Sequence, residues 1–153
     1  MADYEFAARA DMKELFDLQR SAFESEAEMI GSRDIPALKE SYEHFCGDFG
    51  NWTVLVTRDA SGRIAGAVRF RKTDGRIDIG RLMVAQEHRN QGIATGLMYA
   101  VEEVSGADTF ELFTSSRSHT NIKLYEKLGY RTFLEKPGPD GYSFLFMRKT
   151  VRP

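Results

Sequence analysis

A polar turn between a predicted strand and a predicted helix has the residue types that bind an anion. It reads Arg89-Asn90-Gln91-Gly92-Ile93-Ala94-Thr95. The first backbone N–H groups of a helix lack intrahelical partners and carry the positive end of the helix dipole. Gly92 and Ala94 leave these groups open to a ligand, and Arg89 adds a fixed positive charge. The turn therefore predicts a seat for a phosphate or a pyrophosphate.

Asn121 and Tyr125 form a second candidate group. They are four residues apart, so they lie on one face of the helix predicted at residues 120–128. A phenol has an unperturbed pKa near ~10, so it is protonated at neutral pH and can donate a proton. The alternative is a tyrosine packed in the core with its hydroxyl at the rim, and packing is the interpretation we give to Tyr130.

The hydrophobic pattern predicts the elements that hold these residues. Strands are predicted at residues 4–9, 52–58, 63–72, 77–84, 109–114, 130–136 and 142–149, and helices after Asp11, from Pro36 through Phe45, at 93–104 and at 120–128. Residues 25–35 are predicted to form a loop. Turns at 59–62 and 73–76 make three consecutive strands antiparallel, and the strand-helix-strand unit 77–114 predicts one parallel pair. One mixed α/β domain, 1–153, with a mostly antiparallel sheet flanked by helices, is expected.

Composition excludes several classes of protein. The 153 residues, with 42% hydrophobic and 29% charged residues, fit one soluble domain with its own core. A net charge of −2 gives no general affinity for nucleic acid or an anionic membrane. Cys46 is the only cysteine, so no intrachain disulfide can form, and we interpret it as a small buried residue. His44, His88 and His119 lack the spacing of metal ligands. The segment from Met1 does not resemble a signal peptide, and a cytoplasmic location is expected.

The two polar groups, in this order, resemble the two signatures of the GNAT superfamily, the acyl-CoA-dependent N-acyltransferases. Residues 89–94 are similar to its Arg/Gln-x-x-Gly-x-Gly/Ala motif. Asn121, Tyr125, Gly129 and Tyr130 resemble its second signature, in the form with the shorter Asn-to-Tyr spacing. The predicted order of elements is similar over nearly the whole chain. The resemblance implies a GNAT-like fold in which the central parallel pair splays apart.

The resemblance also implies a role for each matching residue, with acetyl-CoA as co-substrate and no metal. The backbone of Leu82, Met83 and Val84 would bond the pantetheine arm, and a free N–H there would polarise the thioester carbonyl. Asn121 would also bond the arm, and Tyr125 would protonate the departing thiolate as general acid. The residues implied to hold the pyrophosphate are Arg89, Asn90, Gln91, Gly92, Ile93, Ala94 and Thr95.

The residue that takes the proton from the attacking amine stays open. Asp78 is the only carboxylate in the predicted strand 77–84, and relatives often carry a glutamate early in this strand as base. Alternation places Asp78 on the face of Leu82 and Val84 unless a β-bulge resets the parity. The alternative for Asp78 is a solvated carboxylate or an ion pair, for example with Arg76 or Arg81.

Three acidic residues, Glu24, Glu26 and Glu28, lie at the end of the first predicted helix and the start of the loop after it. The resemblance implies that this loop borders the acceptor cleft. The acidic group could attract a cationic amine such as a polyamine or a lysine side chain, or it could be a solvated surface.

The leading hypothesis is an enzyme that acetylates a primary amine of a small molecule or peptide by direct attack in a ternary complex. The alternative is a non-catalytic acyl-CoA-binding module on the same fold. A dinucleotide oxidoreductase is disfavoured, since the chain has no Gly-x-Gly-x-x-Gly at its first strand. An O-acyl acceptor or a longer acyl donor stays open. No nucleic-acid or membrane partner is expected, and the family allows a homodimer.

Overall fold

In the computed structural model, which describes residues 3–151, a mixed sheet forms the centre of the fold. The strands are β1 (Glu5–Phe6), β2 (Thr53–Arg58), β3 (Ile64–Thr73), β4 (Arg76–Val84), β5 (Thr109–Ser115), β6 (Arg131–Pro137) and β7 (Ser143–Thr150), and the helices are α1 (Met12–Ile30), α2 (Pro36–Lys39), α3 (Tyr42–Asp48), α4 (Ile93–Ser105) and α5 (His119–Lys127). The strand order is β1-β2-β3-β4-β5-β7-β6, with only β4 and β5 parallel among these neighbours. The predicted mixed fold is confirmed. The predicted domain boundaries, residues 1 and 153, lie outside the described residues, and so does the start of the segment from Met1.

The parallel pairing between β4 and β5 is short. Ile77 pairs with Phe110 and Asp78 pairs with Glu111. Beyond these pairs β4 runs on to Val84 beside β3 alone, while β5 continues beside β7. The two strands therefore splay, which opens a space between them and leaves that edge of β4 free to bond a ligand.

A β-bulge in β4 lies at the start of the splayed segment. Arg69 is opposite Gly80 and Ala67 is opposite Met83, so β4 holds one more residue than β3 between these pairs. Arg81 lies within the bulge and has a φ of 50°, in the left-handed region that a non-glycine residue rarely adopts. The bulge bends the strand and changes which face its later side chains occupy.

The bulge overturns one expectation for Asp78. Leu82 and Val84 pack against the core cluster that contains Ile77 and Ile79. Because Asp78 alternates with these two isoleucines, its side chain faces the other side of the sheet. The expectation that Asp78 shares a face with Leu82 and Val84 is therefore wrong, and the inserted residue is the reason.

Helix α4 packs close to β3 on one face of the sheet because Gly66 has no side chain. A Cβ atom at this position would lie 2.6 Å from Cγ2 of Ile93 and 3.2 Å from Cδ1 of Leu97. Ile93, Leu97 and Val101 are buried, which confirms the apolar face predicted for this helix, and Val104 is half-buried near its end.

The opposite face is covered by α1, whose Leu15 and Phe16 pack with Phe45 of α3 and Met83 of β4. Helix α1 is longer than predicted, since it includes residues 25–30 of the expected loop. Ala27 and Ile30 hold this last part of the helix in a cluster with Ile35, Leu38 and the distant Tyr142. Gly31, with a φ of 73°, then ends the helix.

The helix predicted from Pro36 through Phe45 is divided in two at Glu40 and Ser41. Glu40 is extended and buried, and its carboxylate accepts a 2.9 Å hydrogen bond from Nε2 of Gln19. Ser41 caps α3, since its Oγ accepts a 3.0 Å bond from the backbone N–H of His44. The continuous helix was wrong because these polar groups find better partners with the helix broken.

Three smaller features complete the comparison. Asp11 precedes α1 but its side chain makes no cap bond there; it accepts instead from the backbone N–H of Ala8 at 2.8 Å. Cys46 is half-buried rather than buried. None of the helices within residues 3–151 combines the length and the apolar character that crossing a membrane requires.

Gly66 provides a test of the packing between α4 and β3. We expect Gly66→Ala to lower the free energy of unfolding by about 1–3 kcal/mol, because the added methyl group forces α4 away from the sheet. Chemical denaturation measures the change. The control is Gly96→Ala, where an added Cβ would meet nothing within 4 Å and the helical position favours alanine. Equal effects of the two substitutions would contradict the close approach.

Candidate active site

The turn before α4 has the backbone shape that exposes amide groups. Asn90 has a φ of 62° and Gly92 a φ of 80°, so two nearby residues are left-handed. The first helical hydrogen bond runs from the N–H of Gly96 to the carbonyl of Gly92 at 3.0 Å. The amides of Ile93 and Ala94, like that of Thr95, precede this bond and have no intrahelical acceptor. Successive free amides beside left-handed residues form an anion-binding concavity.

These amides open into a groove of about 540 Å³ that lies between the end of β4, the turn, α1 and α5. The predicted cofactor residues that line it are Leu82, Met83, Val84, Arg89, Asn90, Gly92, Ile93, Ala94, Thr95 and Asn121. Gln91 belongs to the same turn but is outside the lining, and its Oε1 lies 3.4 Å from Nδ1 of His88. The structure thus brings the turn before α4, the end of β4 and Asn121 of α5 to the same groove.

The splay between β4 and β5 opens a second cleft of about 410 Å³, and both predicted catalytic residues, Asp78 and Tyr125, line it. Four residues border both spaces, namely Phe23, Glu26, Leu82 and Asn121. The two predicted catalytic residues line the cleft but not the groove. The groove and the cleft therefore meet at these four residues.

Tyr125 is buried, with 7% of its surface exposed, and its ring packs edge-on against Tyr130 at 6.1 Å between centroids. Burial, with a smaller effect from the charge of Glu26, raises the pKa of Tyr125 well above its ordinary value. The phenol is thus protonated wherever the protein is folded at neutral pH, as a proton donor must be. Tyr130 is fully buried, which confirms that it packs in the core.

Asp78 forms the ion pair that the sequence left open. Its Oδ1 lies 3.0 Å from Nε of Arg76, and the same nitrogen is 3.1 Å from Oε1 of Glu111. Glu111 also binds Nε of Arg148 at 2.7 Å. Two arginines and two carboxylates therefore form a balanced network, and three of the four, Arg76, Asp78 and Glu111, line the cleft.

Glu26 is a candidate that the sequence did not single out from its neighbours. Its Oε1 accepts a 2.7 Å hydrogen bond from Nδ2 of Asn121, at the junction of groove and cleft. Burial raises the pKa of this carboxyl, and bonds from Asn121 and Ser118 partly oppose the shift. The sequence did contain a signal for this, because Ala27 and Ile30 continue the apolar helical spacing of α1. A helix predicted to extend to Ile30 would have placed Glu26 on α1, beside the site.

The predicted acidic group does not act as one site. Glu24 forms an ion pair with Arg33 and Glu28 is exposed, so only Glu26 of the three lines the cleft. Within residues 3–151, no group of three or more His, Cys, Asp or Glu side chains is arranged to hold a metal ion.

Comparison with known proteins agrees with this geometry. The family model described as "Acetyltransferase (GNAT) family" matches residues 12–130. "Uncharacterized N-acetyltransferase YjcF" of Bacillus subtilis (strain 168) is 27% identical over 128 residues, which cover 82% of this chain and 81% of that protein. "UPF0157 protein YqkA" of the same organism is 26% identical over 127 residues, 78% of this chain and 34% of that protein, so this chain spans about a third of its length.

Solved structures share the fold. The PaiA N-acetyltransferase from Thermoplasma acidophilum, in complex with coenzyme A, superposes with a TM-score of 0.82 at 16% identity, with 99% of each chain covered.

Proposed function

The chain belongs to the GNAT acetyltransferase family, and from this membership we propose that it transfers an acetyl group from acetyl-CoA to a primary amine of a small molecule or peptide. The observation that carries the proposal is the meeting of an anion-binding groove with a second cleft beside a protonated phenol and a half-buried carboxylate. We also propose that residues 1–153 act as one domain.

The groove fits the shape and charge of acetyl-CoA. Left-handed Gly92 and the free amides at the start of α4 suit a pyrophosphate, with Arg89 beside them. The splayed edge of β4 at Leu82 and Val84 offers backbone groups to a pantetheine arm. The binding of coenzyme A by the structural relative PaiA supports the same use of the fold here.

The proposed reaction is a direct attack by the neutral amine on the thioester carbonyl. Glu26 accepts a proton from the ammonium form of the acceptor, which frees the lone pair of its nitrogen. A free N–H at the edge of β4 stabilises the oxygen as negative charge develops on it. Tyr125 donates its proton to the sulfur as the carbon–sulfur bond breaks, and the proton released from nitrogen restores the phenol. The products are the N-acetyl amine, coenzyme A and one proton.

Asp78 is the second candidate for the base. It lines the same cleft, but its carboxylate is already engaged by Arg76 in an ion pair at 3.0 Å. Glu26 is half-buried, has no cationic partner among the residues described, and borders both spaces. We therefore assign proton removal to Glu26 and a structural ion pair to Asp78.

The proposed pyrophosphate seat is tested with Gly92→Ala. A Cβ atom at a φ of 80° costs about 1–2 kcal/mol of strain, and the turn must change shape to relieve it. We expect the Kd for acetyl-CoA, measured by calorimetry, to rise about tenfold. The matched control is Gly106→Ala at the other end of α4, where φ is 62°. It should lose comparable stability and keep its affinity; equal affinities in the two variants would contradict the seat.

The role of Tyr125 is tested with Tyr125→Phe, which keeps the ring and removes the proton donor. We expect kcat to fall about 10²-fold with an unchanged Kd for acetyl-CoA. Steady-state release of free thiol measures turnover. Tyr130→Phe is the control, since that ring packs beside Tyr125 and its hydroxyl is buried in the core. Unchanged turnover in Tyr125→Phe would remove the proton-donor role.

The assignment of the base is tested with Glu26→Gln. Since only the ionised carboxylate accepts a proton, activity must rise with pH through the raised pKa of Glu26. We expect the variant to lose this step in the pH profile of kcat/KM and to be slower by about 10²-fold or more. Glu24→Gln, on the same helix but paired with Arg33, is the matched control. If Asp78→Asn removes the step instead, the base is Asp78.

A further inference from the structure

A group of cationic side chains surrounds an indole on the wall of the second cleft. The guanidinium carbon of Arg69 lies 3.9 Å from the centroid of the Trp52 ring, and that of Arg71 lies 4.1 Å from it. Arg81, on the bulge of β4, lines the same cleft together with these three residues. We call Arg69, Arg71 and Arg81 the arginine wall.

The arginine wall has fewer anionic partners than cations. Nη1 of Arg69 is 3.5 Å from Asp48, and Nη2 of Arg81 is 3.5 Å from Glu40, so both contacts are long for an ion pair. Arg71 forms no ion pair within residues 3–151. Three cations against two carboxylates leave an excess of one positive charge, in contrast to the balanced network around Arg76.

The hydrogen bonding of the wall is also incomplete. The Nε atoms of Arg69 and Arg81 are buried and have no hydrogen-bond partner among the residues described. Burial, followed by repulsion from Arg81, lowers the pKa of Arg69 to about 10. The side chain of Arg69 is 16% exposed and that of Arg81 is 17% exposed. Both side chains are therefore largely desolvated but still accessible from the cleft. An anion brought to such a place is stabilised by unscreened charge.

The backbone of Arg81 points to function rather than to stability. A φ of 50° costs a non-glycine residue of order 1 kcal/mol or more, and such strain persists where a site depends on it. The bulge that contains this strain lies where β4 leaves β5, and it directs Arg81 to the side of the sheet that holds Glu40 and Arg69.

The cleft is lined by groups of opposite charge. Glu26 lies at the end shared with the groove, where a protonated amine would lose its proton. The arginine wall and Trp52 line the same cleft but, unlike Glu26, do not border the groove. This distribution is complementary to a molecule with a cationic amine at one end and a single negative charge at the other.

From this charge distribution, and resting on the proposed function, we propose that the arginine wall binds a carboxylate of the acceptor, so that the acceptor is an amine that also carries a carboxylate. A carboxylate is planar and singly charged, which matches the fork of a guanidinium and the excess of one positive charge. The same chemistry is present in a free amino acid and in a peptide with a terminal or side-chain carboxylate.

The first experiment compares matched acceptors in the presence of acetyl-CoA. Each amino acid is assayed beside the amine that lacks its carboxylate, and each short peptide beside its C-terminally amidated form. We expect kcat/KM to be about 10- to 100-fold higher for the carboxylate-bearing member, the range of a charge-assisted pair of hydrogen bonds. The peptide arm and the amino-acid arm distinguish the two sources of the carboxylate.

Arg71→Gln should remove most of that preference, since Arg71 is exposed and its loss leaves the core intact. Arg63→Gln, an exposed arginine at the end of the β2–β3 turn, is the matched control and should keep the preference. Equal kcat/KM for the two members of every pair, or a preference that survives Arg71→Gln, overturns the proposal while leaving the proposed acetyl transfer intact.

The second experiment does not depend on turnover. Trp52 is the only tryptophan of the chain, so its fluorescence reports directly on the arginine wall. We expect a saturable change on titration with N-acetyl amino acids and none with their neutral amides, and a weaker response in Arg71→Gln. The same response to acid and amide overturns the proposal. If the fluorescence responds as expected but no amine is acetylated, the carboxylate site stands and the proposed reaction fails.

Discussion

The brief pairing between β4 and β5 is the constraint on which the rest of the structure depends. Hydrogen bonds at Ile77 and Asp78 keep the two halves of the sheet together, and their absence further along creates both binding spaces. An edge of β4 without a strand partner would be a liability on the surface of a sheet. Here the edge is enclosed by α1, α4 and α5, so its polar groups are held ready for a ligand.

The bulge at Arg81 works with this separation. By inserting one residue, β4 keeps Ile77 and Ile79 in one core and sends Met83 to the other, while Leu82 and Val84 pack against the first core and line the groove. A regular strand cannot supply these contacts, because alternate residues would face the wrong layers. The left-handed backbone of one residue therefore allows a single strand to contact both layers and to line both the groove and the cleft.

Local sequence patterns could predict most of the elements, the three consecutive antiparallel strands and the parallel pair, because these depend on periodicity, turns and short connections; the place of β7 between β5 and β6 was not predicted. The turn at residues 89–95 and the face shared by Asn121 and Tyr125 were also predictable, since each lies within a few residues. The end of α1 was not, because Ala27 and Ile30 are held there by Tyr142, more than a hundred residues away. The place of Glu26 beside both spaces and the break at Glu40 depend equally on distant partners, Asn121 and Gln19.

The close contact of α4 with β3 at Gly66 has a consequence for how the molecule tolerates substitution. It fixes α4, and with it the turn before α4, at a set distance from the sheet, so larger side chains do not fit at this contact. The opposite layer is built from α1 and two short helices, α2 and α3, joined at Glu40 and Ser41. Substitutions in that layer can therefore reshape the second cleft while the turn before α4 keeps its place on the sheet.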